Sequence, residues 1–234
     1  MSGTLALDIE TVSPDREPTD QAHFRDSSYF ELLAVGLGFR PAPGEPVETT
    51  VCFRDGEDAE SELALVDAVC DWCVERPADR LVTYNGDGFD LLHLPGRAAV
   101  AGEAVGDMTP RDRLDRILDL QHVDLMDETR RVYGGFRGLE QVCEDLAVDV
   151  PETHWADYEH GMHPDDWRPL GKRGKKQVVN TDVPQFGERY LALAAVDAQE
   201  TVTFRALSDL LRDYTVADIE PLFELLDRRP FDGD

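Results

Sequence analysis

Lysine is nearly absent from this chain: only Lys172, Lys175 and Lys176 occur in 234 residues, all within five positions of one another. Basic residues total 23 against 49 acidic ones, a formal net charge of -26. A field of that sign opposes any polyanionic ligand, so such a ligand needs a local basic patch or metal ions to hold it. The same charge fits adaptation to high salt, where a Debye length of about 3 Å screens self-repulsion. Long apolar runs are also missing. No stretch of about 18 uncharged apolar residues exists to cross a bilayer. The start, MSGTLALDIE, has no basic region followed by an apolar stretch and a cleavage site. The expectation is a cytoplasmic protein. Cysteine is sparse: Cys52, Cys70, Cys73 and Cys143. Cys70 and Cys73 have C-x-x-C spacing, but they lie in a helical pattern and no second pair completes a zinc site. All four read as reduced core residues.

What is present is an ordered succession of elements. Strand-like runs occur at 4–10, 31–39, 48–54, 80–85 and 122–126, and helical periodicity at 58–76, 90–101, 110–120, 137–147 and 186–213, with a short C-terminal helix at 215–227. Three strands followed by alternating strands and helices predict an α/β fold, a mixed sheet with helices on both faces. The whole of 1–234 reads as one domain, interrupted by an irregular stretch at 151–184. Connections that long are usually functional or disordered.

Carboxylates stand out against this frame. Asp8 and Glu10 close the first strand two residues apart, which puts both on one face at a spacing of about 6 to 7 Å. The segment LVTYNGDGFDLLHL, residues 81–94, runs as a strand, turns through NGDG and resumes as a helix with Asp90 just inside it. That brings Asn85, Phe89 and Asp90 to the strand-to-helix edge where α/β sheets bind ligands, although a helix-capping role for Asp90 is the ordinary alternative. Asp197 lies in an apolar helical run, where an ionised carboxylate is costly unless paired or metal-bound. Asp8, Glu10, Asp90 and Asp197 together are the number and type of ligand that two Mg²⁺ or Mn²⁺ ions require. Asp124 is the reserve carboxylate, an acid that orients the ligands or a strand-end residue.

DIET at 8–11, NGDGFD at 85–90 and AAVDAQET around Asp197 resemble, in order, the three motifs of the DEDD superfamily of 3′-5′ exonucleases on a ribonuclease H-like fold. The branch it is most similar to is the predicted exonucleases related to the proofreading domain of family B DNA polymerases. HVDLMDETRRVYGGFRGLEQVCEDL, residues 122–146, shares that likeness, and the resemblance covers residues 4 to 210. It implies a five-stranded mixed sheet and removal of nucleotides from a single-stranded 3′ end, DNA more than RNA. Asp8, Glu10, Asp90 and Asp197 would hold two metal ions, one activating water and the other stabilising the leaving oxygen. Thr11, Asn85 and Phe89 would hold the terminal nucleotide, the phenyl ring by stacking on a base.

One position departs from the pattern. The resembled family places a tyrosine four residues, or a histidine five residues, before its third-motif aspartate to position water. Before Asp197 those positions hold Leu193 and Ala192, neither capable of proton chemistry. Tyr190 on the same helix, His160 or His163 from the long stretch, or water made acidic by metal alone are the alternatives. The segment RPLGKRGKK, 168–176, carries five basic residues in nine, including Lys172, Lys175 and Lys176. It is the candidate contact for the phosphate backbone. The rival reading is a nucleic-acid-binding module that keeps the carboxylates without turnover, and endonucleolytic cutting is a further variant.

Overall fold

A computed structural model describes residues 3–168 and 173–231. Its sheet has five strands, β1 (Gly3–Val12), β2 (Glu31–Arg40), β3 (Glu48–Phe53), β4 (Ala78–Thr83) and β5 (Gln121–Asp124). They lie in the order β3-β2-β1-β4-β5. β1 runs antiparallel to β2, and β2 to β3, while β4 is parallel to β1 and β5 parallel to β4. This is the expected five-stranded mixed sheet of an α/β fold.

Alternation along β1 divides the core in two. Leu5, Leu7 and Ile9 pack with residues of α1 (Ala59–Val74), α2 (Asp90–Val105) and α3 (Thr109–Leu118) on one face. Ala6 points the other way, toward Ile219, Leu222 and Phe223 of α8 (Val202–Asp227). The period of two therefore sends Asp8 and Glu10 to the α8 side as well. On that side α7 (Val183–Ala194) joins α8, and Phe186, Leu191, Leu207 and Leu210 form their shared core over Leu33 and Ala34 of β2.

Two glycines set how near α8 comes to the sheet. A Cβ on Gly36 would lie 2.5 Å from Cγ2 of Thr215, and one on Gly38 would lie 2.7 Å from both Ile219 and Phe223. Thr215, Ile219 and Phe223 are spaced by four, so one stripe of the helix rests directly on bare backbone of β2. Gly36 is the β2 partner of Asp8. The closest approach of helix to sheet is thus level with the acidic end of β1.

The helical boundaries differ from the sequence expectation in one consequential place. The long run read as 186–213 is two helices, and the separate 215–227 helix is the second half of α8. The chain turns over 195–201, where Asp197 takes a left-handed φ of 55° and Thr201 caps α8 by accepting the Phe204 N–H at 3.2 Å. Both helices bury an apolar stripe against the same sheet, so the hydrophobic periodicity continues across the turn and conceals it. A short helix α4 (Leu125–Tyr133) follows β5 directly and was not anticipated; α5 (Leu139–Asp145) comes next. The irregular 151–184 stretch contains a 3-10 turn at Trp155–Asp157, the one-turn α6 (Pro164–Trp167) and the start of α7. Lys172 lies outside the described residues.

Cys70, Cys73 and Cys143 are buried, Cys52 is half-buried, and all four are free. Burial pushes the thiols of Cys73 and Cys143 up to about 12, which makes them unreactive. Among the described residues no helix is long and apolar enough to cross a membrane.

Placing a branched side chain at Gly38 should force α8 away from the sheet. Gly38→Val is expected to cost about 1 to 3 kcal/mol, the usual penalty of overpacking. Chemical denaturation monitored by circular dichroism measures it, and an unchanged midpoint would contradict the close contact.

Candidate metal centre

The acidic end of β1 projects past the end of its neighbour. β4 pairs with β1 only as far as Ala6, so the Ile9 N–H finds no strand partner on the β4 side. Asp90, the first residue of α2, takes that position: its Oδ1 accepts the Ile9 N–H at 3.0 Å. The NGDG turn makes this possible. Asn85 adopts a left-handed φ of 66°, and its carbonyl accepts the Gly88 and Phe89 N–H groups at 2.9 and 3.1 Å. Asp124 secures the turn from β5 by accepting the N–H groups of Asn85 at 2.8 Å and Asp87 at 3.1 Å, and it caps α4 through Met126 N–H. Its role is positional.

Asp8, Glu10 and Asp218 meet across the sheet-to-helix interface. One carboxylate oxygen from each lies within 4.8 Å of the other two. Thr215, one turn of α8 before Ile219, donates its hydroxyl to Glu10 Oε1 at 3.3 Å. Among the described residues no lysine, arginine or histidine forms an ion pair with Asp8, Glu10, Asp90 or Asp218. Two bare carboxylates about 4 Å apart repel by about 4 kcal/mol at an effective dielectric of about 20, so the site demands protons or cations.

The acidities record that demand. Burial, and then the neighbouring Asp90, Glu10 and Asp218, raise Asp8 well above the usual carboxylate range. Glu10 is raised by burial and by Asp218, against a lowering hydrogen bond from Thr215. Burial pushes Asp90 up to about 7 despite the Ile9 N–H. Asp218 rises to about 7, chiefly through burial and then the charge of Glu140, with a hydrogen bond from Tyr214 acting the other way.

Asp197, expected as a ligand, is not brought to these acids. It sits exposed in the turn after α7 and does not line the cleft that holds the other acids. The acid that meets Asp8 and Glu10 is Asp218. The physical reason is the chain reversal at 195–201, which carries Asp197 off the sheet. A usable signal was present: Tyr214 stands four residues before Asp218, the spacing of the resembled family that Leu193 and Ala192 fail to provide. Of the substitutes considered for that tyrosine, Tyr190 is buried in the α7-α8 core. His160 is 2% exposed, with Nε2 3.0 Å from the Trp155 carbonyl and Nδ1 accepting the Met162 N–H. His163 is exposed and caps α6 by accepting the Asp165 N–H.

The acids open into a cleft of about 580 Å³. Thr11, Asn85, Phe89 and Tyr214 line it, along with Asn180, Thr181 and Gln185 from the segment leading into α7. The Phe89 ring is braced edge-on by Phe30 at 5.3 Å and by His93 at 4.5 Å. Among the described residues neither lysine nor arginine lines the cleft, while Glu17 and Glu188 add to its acids. Lys175 and Lys176 are exposed outside it, and their carbonyls hold Trp155.

No family model and no curated protein matches the chain. Among solved structures it is similar to a family B DNA polymerase from the hyperthermophilic archaeon Pyrobaculum calidifontis, with 16% identity and a TM-score of 0.44 over 90% of this chain. The matched part is 24% of the polymerase, so this chain spans about a quarter of that protein's length.

A carboxyl group whose acidity is weakened by folding binds its proton more tightly in the folded state. Its stabilising effect is full below the unfolded value of about 4 and is lost as pH rises to about 7. In chelator, the native protein should therefore lose stability relative to Asp218→Asn between about pH 5 and about pH 8, by a melting-temperature difference on the order of 5 °C. Mn²⁺ should restore the native protein at the higher pH and leave the variant unmoved. Parallel pH profiles for the two proteins, with no response to Mn²⁺, would contradict the arrangement.

Proposed function

We propose that this protein is a metal-dependent 3′-5′ exonuclease acting on single-stranded nucleic acid, DNA more than RNA. The observation that carries the reading is the meeting of Asp8, Glu10 and Asp218 within 4.8 Å, beside Asp90 and with no cationic side chain among the described residues to neutralise them. The donor set consists of hard oxygens, and it suits Mg²⁺ or Mn²⁺. These four residues would hold two such ions, which when bound supply charge stabilisation of the reacting phosphate and a nucleophile at neutral pH.

The chain's own groups account for the remaining requirements. Ile9 N–H and Thr215 Oγ1 orient Asp90 and Glu10. Tyr214 lines the cleft, and burial together with Asp218, Glu10 and Asp8 raises its phenol far above the ordinary tyrosine value. Its hydroxyl would orient the attacking water by hydrogen bonding. Thr11 and Asn85 offer polar groups to the terminal nucleotide, and the braced Phe89 ring offers a stacking face. Lys175 and Lys176 precede the cleft-lining Asn180 by five and four residues and would contact phosphates from outside. The rival reading of a module without turnover rested on Leu193 and Ala192. Tyr214, four residues before Asp218, supports turnover instead.

With Mn²⁺ or Mg²⁺ in high salt, the protein should release mononucleotides from the 3′ end of a labelled oligonucleotide. Asp8→Asn and Asp218→Asn should reduce release at least about 1,000-fold, and Tyr214→Phe about 10- to 100-fold in kcat with little change in KM. Asp197→Asn should be indistinguishable from the native protein. Internal cuts alone, or activity lost with Asp197 and kept without Asp218, would refute the assignment.

A further inference from the structure

Among the described residues the only charged side chains lining the cleft are acids, so a bound strand needs cations outside it. Residues 130–138, RRVYGGFRG, hold three arginines, two aromatics and three glycines with no acid, in a chain of net charge -26. They form the end of α4 and the loop to α5.

The base of this loop is fastened to the cleft at two points. Tyr84, which lines the cleft, donates its hydroxyl to the Arg137 carbonyl at 2.7 Å. Arg130 reaches Oδ1 of Asn85, another lining residue, at 3.5 Å. Its tip is open. Phe136 is 73% exposed, the most exposed large apolar side chain among the described residues. A Cβ on Gly134, Gly135 or Gly138 would meet nothing within 4 Å. The Arg137 guanidinium lies over the Tyr133 ring at 4.4 Å, a flat, charged and aromatic surface. Arg130 and Arg137, paired with Asp127 and Asp145, have side chains 49% and 39% exposed. Ion pairs at such exposure are weak and exchange readily for a phosphate.

We propose that this lip carries the strand on its way to the cleft, with Phe136 stacking on a base and Arg130 and Arg137 contacting phosphates several nucleotides from the 3′ end. Alternating planar cations and aromatic faces are what single-stranded nucleic acid needs, because every base has a face to stack and every linkage a charge to meet. The proposal rests on the nuclease reading above.

The test compares native protein with Phe136→Ala and with Arg130→Gln/Arg137→Gln. It uses two substrates: a labelled oligonucleotide of about 20 nucleotides, and the p-nitrophenyl ester of thymidine 5′-monophosphate, which fills the cleft alone. Fluorescence anisotropy with the same oligonucleotide measures binding independently of turnover. Both variants should bind the oligonucleotide at least about 10-fold more weakly and lose kcat/KM on it in proportion, while hydrolysing the small ester within about twofold of the native rate. Unchanged oligonucleotide affinity overturns the lip and leaves the nuclease reading standing. Equal loss on both substrates also overturns it, because the effect then lies in the cleft or the fold. If native protein cleaves neither substrate, the nuclease reading fails, and the anisotropy comparison still decides whether the lip binds the strand.

Discussion

Close packing of α8 on β2 is the constraint from which the site follows. Where Gly36 and Gly38 leave the backbone bare, Thr215, Ile219 and Phe223 settle against it. Asp218 lies between Thr215 and Ile219 in sequence, so it cannot withdraw from Asp8 and Glu10 without lifting the helix. The apolar stripe of α8, including Leu207, Leu210, Leu211, Ile219, Leu222 and Phe223, is almost fully buried. Burial of that many large side chains contributes on the order of 10 kcal/mol, comparable to the repulsion among the three acids at about 4 kcal/mol per pair. Hydrophobic packing thus holds together a charge cluster that electrostatics alone would disperse.

The second support is the gap left where β4 ends. A free ladder position at Ile9 is filled by the side chain of Asp90, and the turn that delivers Asp90 is held by Asp124 from the next strand. Strand pairing and turn conformation together orient the acid. Each carboxylate in this region therefore has its direction set by backbone or by packing rather than by a basic partner. The arginines are spent elsewhere. Arg54, Arg97 and Arg168 are themselves buried against Glu31, Glu62 and Asp182, which braces the periphery of the fold.

Charge is consequently sorted by position. Acids gather in the cleft, and the lysines of 172–176 and the arginines of 130–137 lie beyond its rim or outside the described residues. The net charge that argued against a polyanionic ligand at the level of composition says less than this local arrangement, since a field of that size is screened within about 8 Å at physiological salt.

Local pattern determined much of this protein. Strand-like apolar runs marked all five strands to within about two residues, and the strand-end Asp8 and Glu10 and the NGDG turn before Asp90 identified three of the four acids, because each depends on neighbours a few positions away. The fourth did not yield to the same reasoning. Asp197 and Asp218 both stand among apolar residues at helical spacing, and what separates them is a chain reversal at 195–201 whose flanking helices bury the same kind of stripe. Only the tertiary structure decided between them. The α4 helix escaped notice for a related reason, being nine residues long and continuous with a strand. Periodicity reports which face of an element is buried; which acids meet across two elements depends on how closely helix and sheet approach, and here that distance is set by glycines more than 170 residues away in the chain.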